Sequence, residues 1–373
     1  MTPASRPSPI SSEGNTLTRR VIQFSTGNVG IHALRTIIGR PDLELVGLHA
    51  ASPDKVGRDA ADLCGVATPT GVTATSDIDE LVALQADCVV YTSQAETRPH
   101  EAMADLIRFL SAGTNVVGTS FVWLVAPEFT DTWLREPLQQ ACRAGNSTLY
   151  VNGIDPGFSG DTLVYSALSL AGRATAITVQ EICEYGSYDD AEFTGVSFGF
   201  GTEPDHEPIL FAPGVLASMW GTQVRSLARD LGVRLDAVRE RHEKWVTPEP
   251  VSTTMMDVAA GRVAAVRFGV EGVRDDEVII TMEHINRLTA ADAPEWTYPP
   301  DGRPGVHRVT VEGDPGIRID THVGGMGVDH NIGGVVATAA RAVNAIDAVC
   351  RAPTGILAAH ELRPLDHLPG TMW

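Results

Sequence analysis

The chain has 373 residues, 43% of them hydrophobic, and 28 lysines and arginines stand against 47 aspartates and glutamates for a formal net charge of −19. That length exceeds one ordinary core and predicts two domains, while the acidic balance argues against nucleic acid and anionic membranes as partners. Five cysteines (Cys64, Cys88, Cys142, Cys183, Cys350) are odd in number and lack C-x-x-C spacing, so neither a disulfide framework nor a metal site is expected.

Residues 1–18 are rich in Ser, Pro and Thr and lack the apolar run of a signal peptide, which predicts a flexible tail on a cytoplasmic protein. From 19 to 156 strand and helix patterns alternate: strands at Val21–Phe24, Leu43–His49, Asp87–Thr92, Asn115–Gly118 and Ser147–Val151, helices at Val29–Ile38, His100–Ser111 and Asp131–Ala144. The alternation predicts right-handed crossovers and an α/β, doubly wound parallel sheet of Rossmann type.

The first strand runs into Phe24-Ser25-Thr26-Gly27-Asn28-Val29-Gly30. Glycines there let the backbone turn tightly and bring the first helical N–H groups to a phosphate, so Thr26, Gly27, Asn28, Val29 and Gly30 read as a dinucleotide pyrophosphate site. About 20 residues on, an NAD enzyme places a carboxylate on the ribose. Here stand His49, Ala50, Ala51 and Ser52. With no carboxylate to repel it, a 2′-phosphate is assigned to Ser52, Lys55 and Arg58, making NADP(H) the preferred cofactor and NAD(H) the alternative. The competing reading leaves Lys55 and Arg58 as solvated helix residues. Later strand ends supply Thr92 and Ser93 for the nicotinamide ribose, then Thr119, and finally Asn152 and Asp155 where the domains join. Caps and turns use the same residue types.

Residues 157–327 change texture. Helices at Gly160–Leu170 and Pro213–Leu231 mix with strands at Ala174–Tyr185, Ala264–Val273, Glu277–Leu288, Val306–Glu312 and Gly316–Val323, which predicts a separate α+β domain with a mostly antiparallel sheet for substrate and dimerisation. Alternation places Glu181 on one strand face with Ile177, Val179, Cys183 and Tyr185. A carboxyl group there is either a proton donor or half of an ion pair with an arginine. His284, alone on an apolar face, reads as a hydrogen-bonded core residue, and His242 as part of an exposed charged face. Residues 328–373 open with Asp329 as a cap and carry an apolar helix, Gly333–Cys350, expected to return to the first domain.

Gly27-Asn28-Val29-Gly30, Ser52-Pro53-Asp54-Lys55-Val56-Gly57-Arg58-Asp59, Glu283-His284-Ile285-Asn286-Arg287-Leu288 and Val343-Asn344-Ala345-Ile346 together give residues 19–365 a resemblance to the dihydrodipicolinate-reductase-like proteins, which are similar to 2,4-diaminopentanoate dehydrogenase and the native amine dehydrogenases. The resemblance implies a Rossmann domain, a C-terminal dimerisation domain, and NAD(P)H-dependent interconversion of amines or imines with ketones. Two departures stand out. The His-His-x-x-Lys-x-Asp motif of the true dihydrodipicolinate reductases is absent. Where the amine dehydrogenases carry a Cys-Glu-Glu-like segment, this chain has Ser120-Phe121-Val122. The glutamate expected to activate water or ammonia is therefore missing at the matching place, and Phe121, Val122 and Trp123 are expected to give the pocket an apolar wall. The sequence thus points to hydride transfer at a C=N or C=O carbon of a small hydrophobic substrate by a homodimer, with Glu181, Tyr185 and Asp155 as candidate proton donors. The alternative is a dinucleotide-binding sensor or degenerate paralogue without catalysis.

Overall fold

Apolar residues on both faces of short strands build the first layer. In a computed structural model, which describes residues 18–363 apart from Glu96, Thr97 and Met326, together with Asp366 and Leu368, β1 (Arg19–Phe24) buries Val21, Ile22 and Phe24 completely. The expected tail lies outside the described residues except for Thr18. β2 (Leu43–His49), β3 (Ala74–Thr75), β4 (Cys88–Tyr91), β5 (Asn115–Gly118) and β6 (Thr148–Val151) join β1 in a parallel sheet of order β6-β5-β4-β1-β2-β3. The strand order reverses between β1 and β4, which opens a crevice at their carboxyl ends.

Helices cover both faces. α1 (Asn28–Gly39) packs on one; α4 (Pro99–Ser111) and α5 (Thr132–Gly145) pack on the other, burying Phe109 and Leu138 against Ile22 and Phe24. α2 (Ala60–Cys64) and α3 (Ile78–Ala83) are short. Asp59 caps α2, accepting from the Ala61 N–H while also holding the Thr70 and Gly71 N–H groups.

A linker through Ile154–Leu163 leads to α6 (Val164–Leu168), then β7 (Arg173–Glu184), α7 (Ala191–Phe198), α8 (Val215–Asp230) and β8 (Ala237–Val246). A small ribbon, β9 (Val251–Ser252) and β10 (Asp257–Val258), precedes β11 (Val263–Arg274), β12 (Glu277–Arg287), β13 (Gly305–Asp314) and β14 (Ile317–Thr321). The second sheet runs β14-β13-β7-β12-β11-β8. Its β7–β12 pair is parallel and its other pairs antiparallel, so the expected architecture holds with one parallel exception. α8 lies across one face, where Trp220, Val224 and Leu227 bury against Val179, Phe268 and Met282. β8 escapes a hydrophobicity reading because it is an edge strand of charged residues, Arg239-Glu240-Arg241-His242-Glu243-Lys244.

The chain then returns to the first sheet. α9 (His330–Asn344) and α10 (Ile346–Arg351) bury Ala339, Ala342, Val343, Ile346 and Val349 beside α1, and β15 (Gly355–Leu357) adds a parallel strand next to β6. The span His330–Arg351 is long and apolar enough to cross a membrane, but this buried side makes it a core helix.

Candidate active site at the domain junction

The α1 N-terminus is built for an anion. Gly27 is its N-cap and provides no side-chain cap, so the first-turn N–H groups open outward, and no acidic residue lies in that turn. A Cβ on Gly30 would meet the Ser25 carbonyl oxygen at 2.4 Å and Thr92 Oγ1 at 2.8 Å, so the turn closes only around glycine. A Cβ on Gly27 would meet nothing nearer than Ser25 Oγ at 3.7 Å, which leaves open space above the loop. Tight turn, open floor and free N–H groups fit a dinucleotide pyrophosphate.

Neighbouring side chains brace this loop. Thr92 Oγ1 donates to the Phe24 carbonyl oxygen at 2.9 Å and accepts from Gln23 Nε2 at 2.9 Å. Lys55 Nζ donates to the Thr26 carbonyl oxygen at 3.2 Å, and Ser52 Oγ bonds Asp54 Oδ1 at 2.5 Å beside exposed Arg58. Ser93 accepts from Arg98, while Thr119 stands half-buried at the end of β5. Asn152 is placed differently from the rest. Its Nδ2 donates to Tyr150 and Asp161 and its Oδ1 accepts from Arg341, so its side chain is engaged inside the protein and its backbone faces the crevice end of β6.

Beyond Asn152 the linker delivers Asp155 onto the second sheet. Asp155 Oδ1 lies 3.3 Å from His284 Nε2 and accepts from Trp220 Nε1 at 2.7 Å. Glu181 Oε1 accepts from Tyr185 Oη at 3.0 Å and from Asn286 Nδ2 at 3.1 Å. The ligand atoms of Asp155, Glu181 and His284 all fall within 4.8 Å of one another. Strand register explains the convergence: His284 pairs with Glu181, and Glu181 with His307, in one cross-strand row. His307 Nδ1 completes the floor at 3.1 Å from Ser159 Oγ.

The electrostatics follow from this packing. Burial alone would raise the Asp155 carboxyl, but His284, His307 and Trp220 outweigh it and hold it below the usual carboxylate range. Burial would lower His284, yet Asp155, Glu181 and Glu283 together move it above the ordinary histidine value. Burial, reinforced by Glu181, pushes the Tyr185 phenol well up, so it stays protonated as a donor. The three candidates Asp155, Glu181 and Tyr185 are thus brought together, with Asp155 an ionised acceptor and not the donor expected. Glu181 sits among hydrogen-bond donors, Tyr185 and Asn286, and not in an arginine pair.

Two sequence expectations need correction. His284 is no isolated core histidine, since its imidazole faces two carboxylates. Its signal was present in Glu283-His284-Ile285-Asn286, which sets a histidine and an asparagine on one strand face, but only the parallel register with β7 aims that face at Glu181. The second concerns the apolar wall. Phe121 has a positive φ of 57° and is fully buried in the first domain's core, Val122 packs against the second domain's core, and Trp123 packs against both, with its Nε1 bonded to Ser218 Oγ at 3.1 Å. His242 is exposed within the charged strand β8, as expected, with its ring stacked on Phe211 at 4.5 Å, and His206 is exposed as well.

A Rossmann sheet with an anion-binding turn, joined to an α+β sheet that carries an acid and imidazole cluster, defines a nicotinamide-dependent oxidoreductase. The comparisons narrow the class. Residues 214–370 match the 2,4-diaminopentanoate dehydrogenase C-terminal domain. An amine dehydrogenase of Streptomyces virginiae is 36% identical over 92% of this chain and 96% of its own length. The structure of an amine dehydrogenase from Mycobacterium smegmatis superposes with a TM-score of 0.76 at 18% identity, covering 93% of this chain and 96% of that one. A putative myo-inositol dehydrogenase from Sinorhizobium meliloti shares the fold more loosely, with a TM-score of 0.52 at 15% identity over 89% and 88% of the two chains. The chain belongs to the amine dehydrogenase family of NAD(P)-dependent enzymes.

Proposed function

We propose that this protein interconverts a small hydrophobic ketone or imine with the corresponding primary amine, using NADP(H) in preference to NAD(H), as a cytoplasmic homodimer. The observation that carries the reading is the Asp155–Glu181–His284 cluster, set where the linker leaves the dinucleotide crevice. The nicotinamide ring supplies or accepts the hydride when bound. Gly27, Asn28 and Val29 hold the pyrophosphate by their N–H groups, while Ser52, Lys55 and Arg58 flank the ribose end, where β2 finishes in His49 and not in a carboxylate. Thr92, Ser93, Thr119 and the backbone of Asn152 lead the cofactor to the cluster, and Trp123 with Ser218 draws the domains together to exclude water. Tyr185 holds a proton beside the reacting carbon and shares it with Glu181 through their hydrogen bond, while Asp155 stays ionised as an acceptor. The five unpaired thiols suit a reducing compartment.

The strongest charged neighbours of Asp155 and His284 are one another and further carboxylates and histidines, so the site attracts a cationic amine and repels a carboxylate. A panel of ketones with ammonia, imines, amines and 2-oxo acids, read by nicotinamide absorbance with both cofactors, tests the reading. Turnover of uncharged ketones or amines is expected, faster with NADPH, with 2-oxo acids at least about 100-fold poorer in kcat/KM, the factor that ~2.7 kcal/mol of charge repulsion gives. Dinucleotide binding without turnover of any member would replace the enzyme with the sensor alternative.

A further inference from the structure

Residues 120–122 bring no carboxylate to this pocket. Ser120 Oγ is spent on the Ser93 carbonyl oxygen, Phe121 is buried in the first domain, and Val122 is apolar. Among the described residues, the titratable groups of this pocket lie on the opposite wall.

We propose that His284 is the residue that exchanges a proton with the substrate nitrogen or oxygen, and that Asp155 is its positioning partner. The inference rests on the oxidoreductase reading given above. Three features of the pair support it. The His284 ring is clamped, lying parallel to Phe268 at 4.7 Å and 2° and edge-on to Trp220 at 4.6 Å. Trp220 also fixes Asp155 through its 2.7 Å hydrogen bond, so one indole sets both members. Finally, the 3.3 Å between Nε2 and Oδ1 is long for a charge-assisted hydrogen bond, which normally spans about 2.7–2.9 Å, so a substrate atom entering the space between His284, Asp155 and Glu181 competes for the proton.

The titratable groups around the ring are Asp155 from the linker, Glu181, Cys183 and Tyr185 on or just beyond β7, His307 from β13 and Glu283 on the far side of β12. α8 and β11 contribute Trp220 and Phe268, which do not titrate. The carboxylates outnumber the cations, which keeps the imidazolium populated. As hydride reaches the C=N carbon, a C–H bond forms and the π pair moves to nitrogen. That nitrogen takes the Nε2 proton, the imidazolium N–H bond breaks, and neutral imidazole regains a proton from water. In amine oxidation the imidazole takes the proton from nitrogen, and the sum of the two half-steps is one proton exchanged with solvent per hydride.

The experiment compares the parent with His284→Asn and Asp155→Asn on whichever substrate the panel identifies. For His284→Asn, kcat should fall about 10²–10⁴-fold and the histidine limb of the pH profile should vanish, with NADPH affinity by fluorescence unchanged. For Asp155→Asn the limb should move to lower pH. Histidine NMR of the cofactor-free parent gives a readout apart from activity: the His284 ring should titrate above the ordinary histidine value, and lower in Asp155→Asn. Should His284→Asn fail to fold, the Asp155→Asn profile and the NMR titration decide. An active parent whose limb survives in His284→Asn, or a His284 midpoint indifferent to Asp155→Asn, overturns the assignment alone. A parent inactive on the whole panel overturns the oxidoreductase reading and the assignment with it.

Discussion

His49 ends β2 with its ring stacked on Phe24, centroids 3.8 Å apart and planes within 6°, and its buried Nδ1 has no hydrogen-bond partner among the described residues. Burial first, then the charge of Arg98, push its pKa down from 6.5 to about 4. Because the folded value is the lower one, the unfolded chain binds more protons between those two pH values, and stability falls as pH drops through that window. The melting temperature should therefore decline from pH 6.5 toward 4, and His49→Leu should flatten that slope while leaving stability above 6.5 nearly unchanged. An identical slope in the variant would show that other groups carry the acid sensitivity. His49 and His284 also show what a sequence reveals at this scale. The tight glycine turn before α1 was legible because its glycines answer to local backbone geometry, which the sequence carries directly. The placement of His284 and His307 was not, since it arises from the pairing of strands more than 100 residues apart, Glu181 with His284 and with His307, and that of Trp220 arises from the packing of α8 on the sheet.

At the scale of elements, the return of α9 ties the two domains together through one buried ion. Arg341 Nη2 lies 3.0 Å from Asp161 Oδ2 and 3.1 Å from Thr162 Oγ1, and its Nε reaches Asn152, with the side chains of Arg341 and Asp161 only 9% and 5% exposed. The guanidinium also sits over the Phe158 ring. This network joins β6, the linker that delivers Asp155, and α9. Arg341→Met keeps the volume but strands a buried carboxylate, a loss of about 3–5 kcal/mol by urea unfolding. Adding Asp161→Leu should recover much of it, because replacing both members removes the uncompensated charge. A single variant as stable as the parent would mean that Asp161 finds another partner. The apolar periodicity of α9 was readable in the sequence, as was the cap at Asp329, which accepts from the Asn331 and Ile332 N–H groups. β8 was not, because a charged edge strand has no apolar alternation to betray it, and β15 is too short to leave a pattern.

For the whole molecule, the second sheet carries two cross-strand rows one residue apart, and they face opposite ways. His242, Phe268, His284, Glu181 and His307 look toward α8 and the site. Arg241, Gly269, Glu283, Gln180, Arg308 and Asp320 form the other row, on a face that no helix layer covers. That face balances its own charges: Glu283, 3% exposed, accepts from Gln180 Nε2 at 2.6 Å and Arg267 Nε at 2.7 Å, and Arg308 pairs with Asp320 at 2.7 Å. Beside this row Thr281, Thr178 and Thr310 stand in register across three strands, half-buried and uncharged. A flat, charge-neutral strip at the middle of a sheet is the kind of surface that pairs with its own copy across a two-fold axis, where each partner needs to bury on the order of 800 Å². Sedimentation of the parent at micromolar concentration should give a dimer. Thr178→Arg, which sets two like charges against each other at the axis, should give a folded monomer with an unchanged circular dichroism spectrum. A monomeric parent would sink the two-fold arrangement, and a dimeric variant would move the interface to a different face.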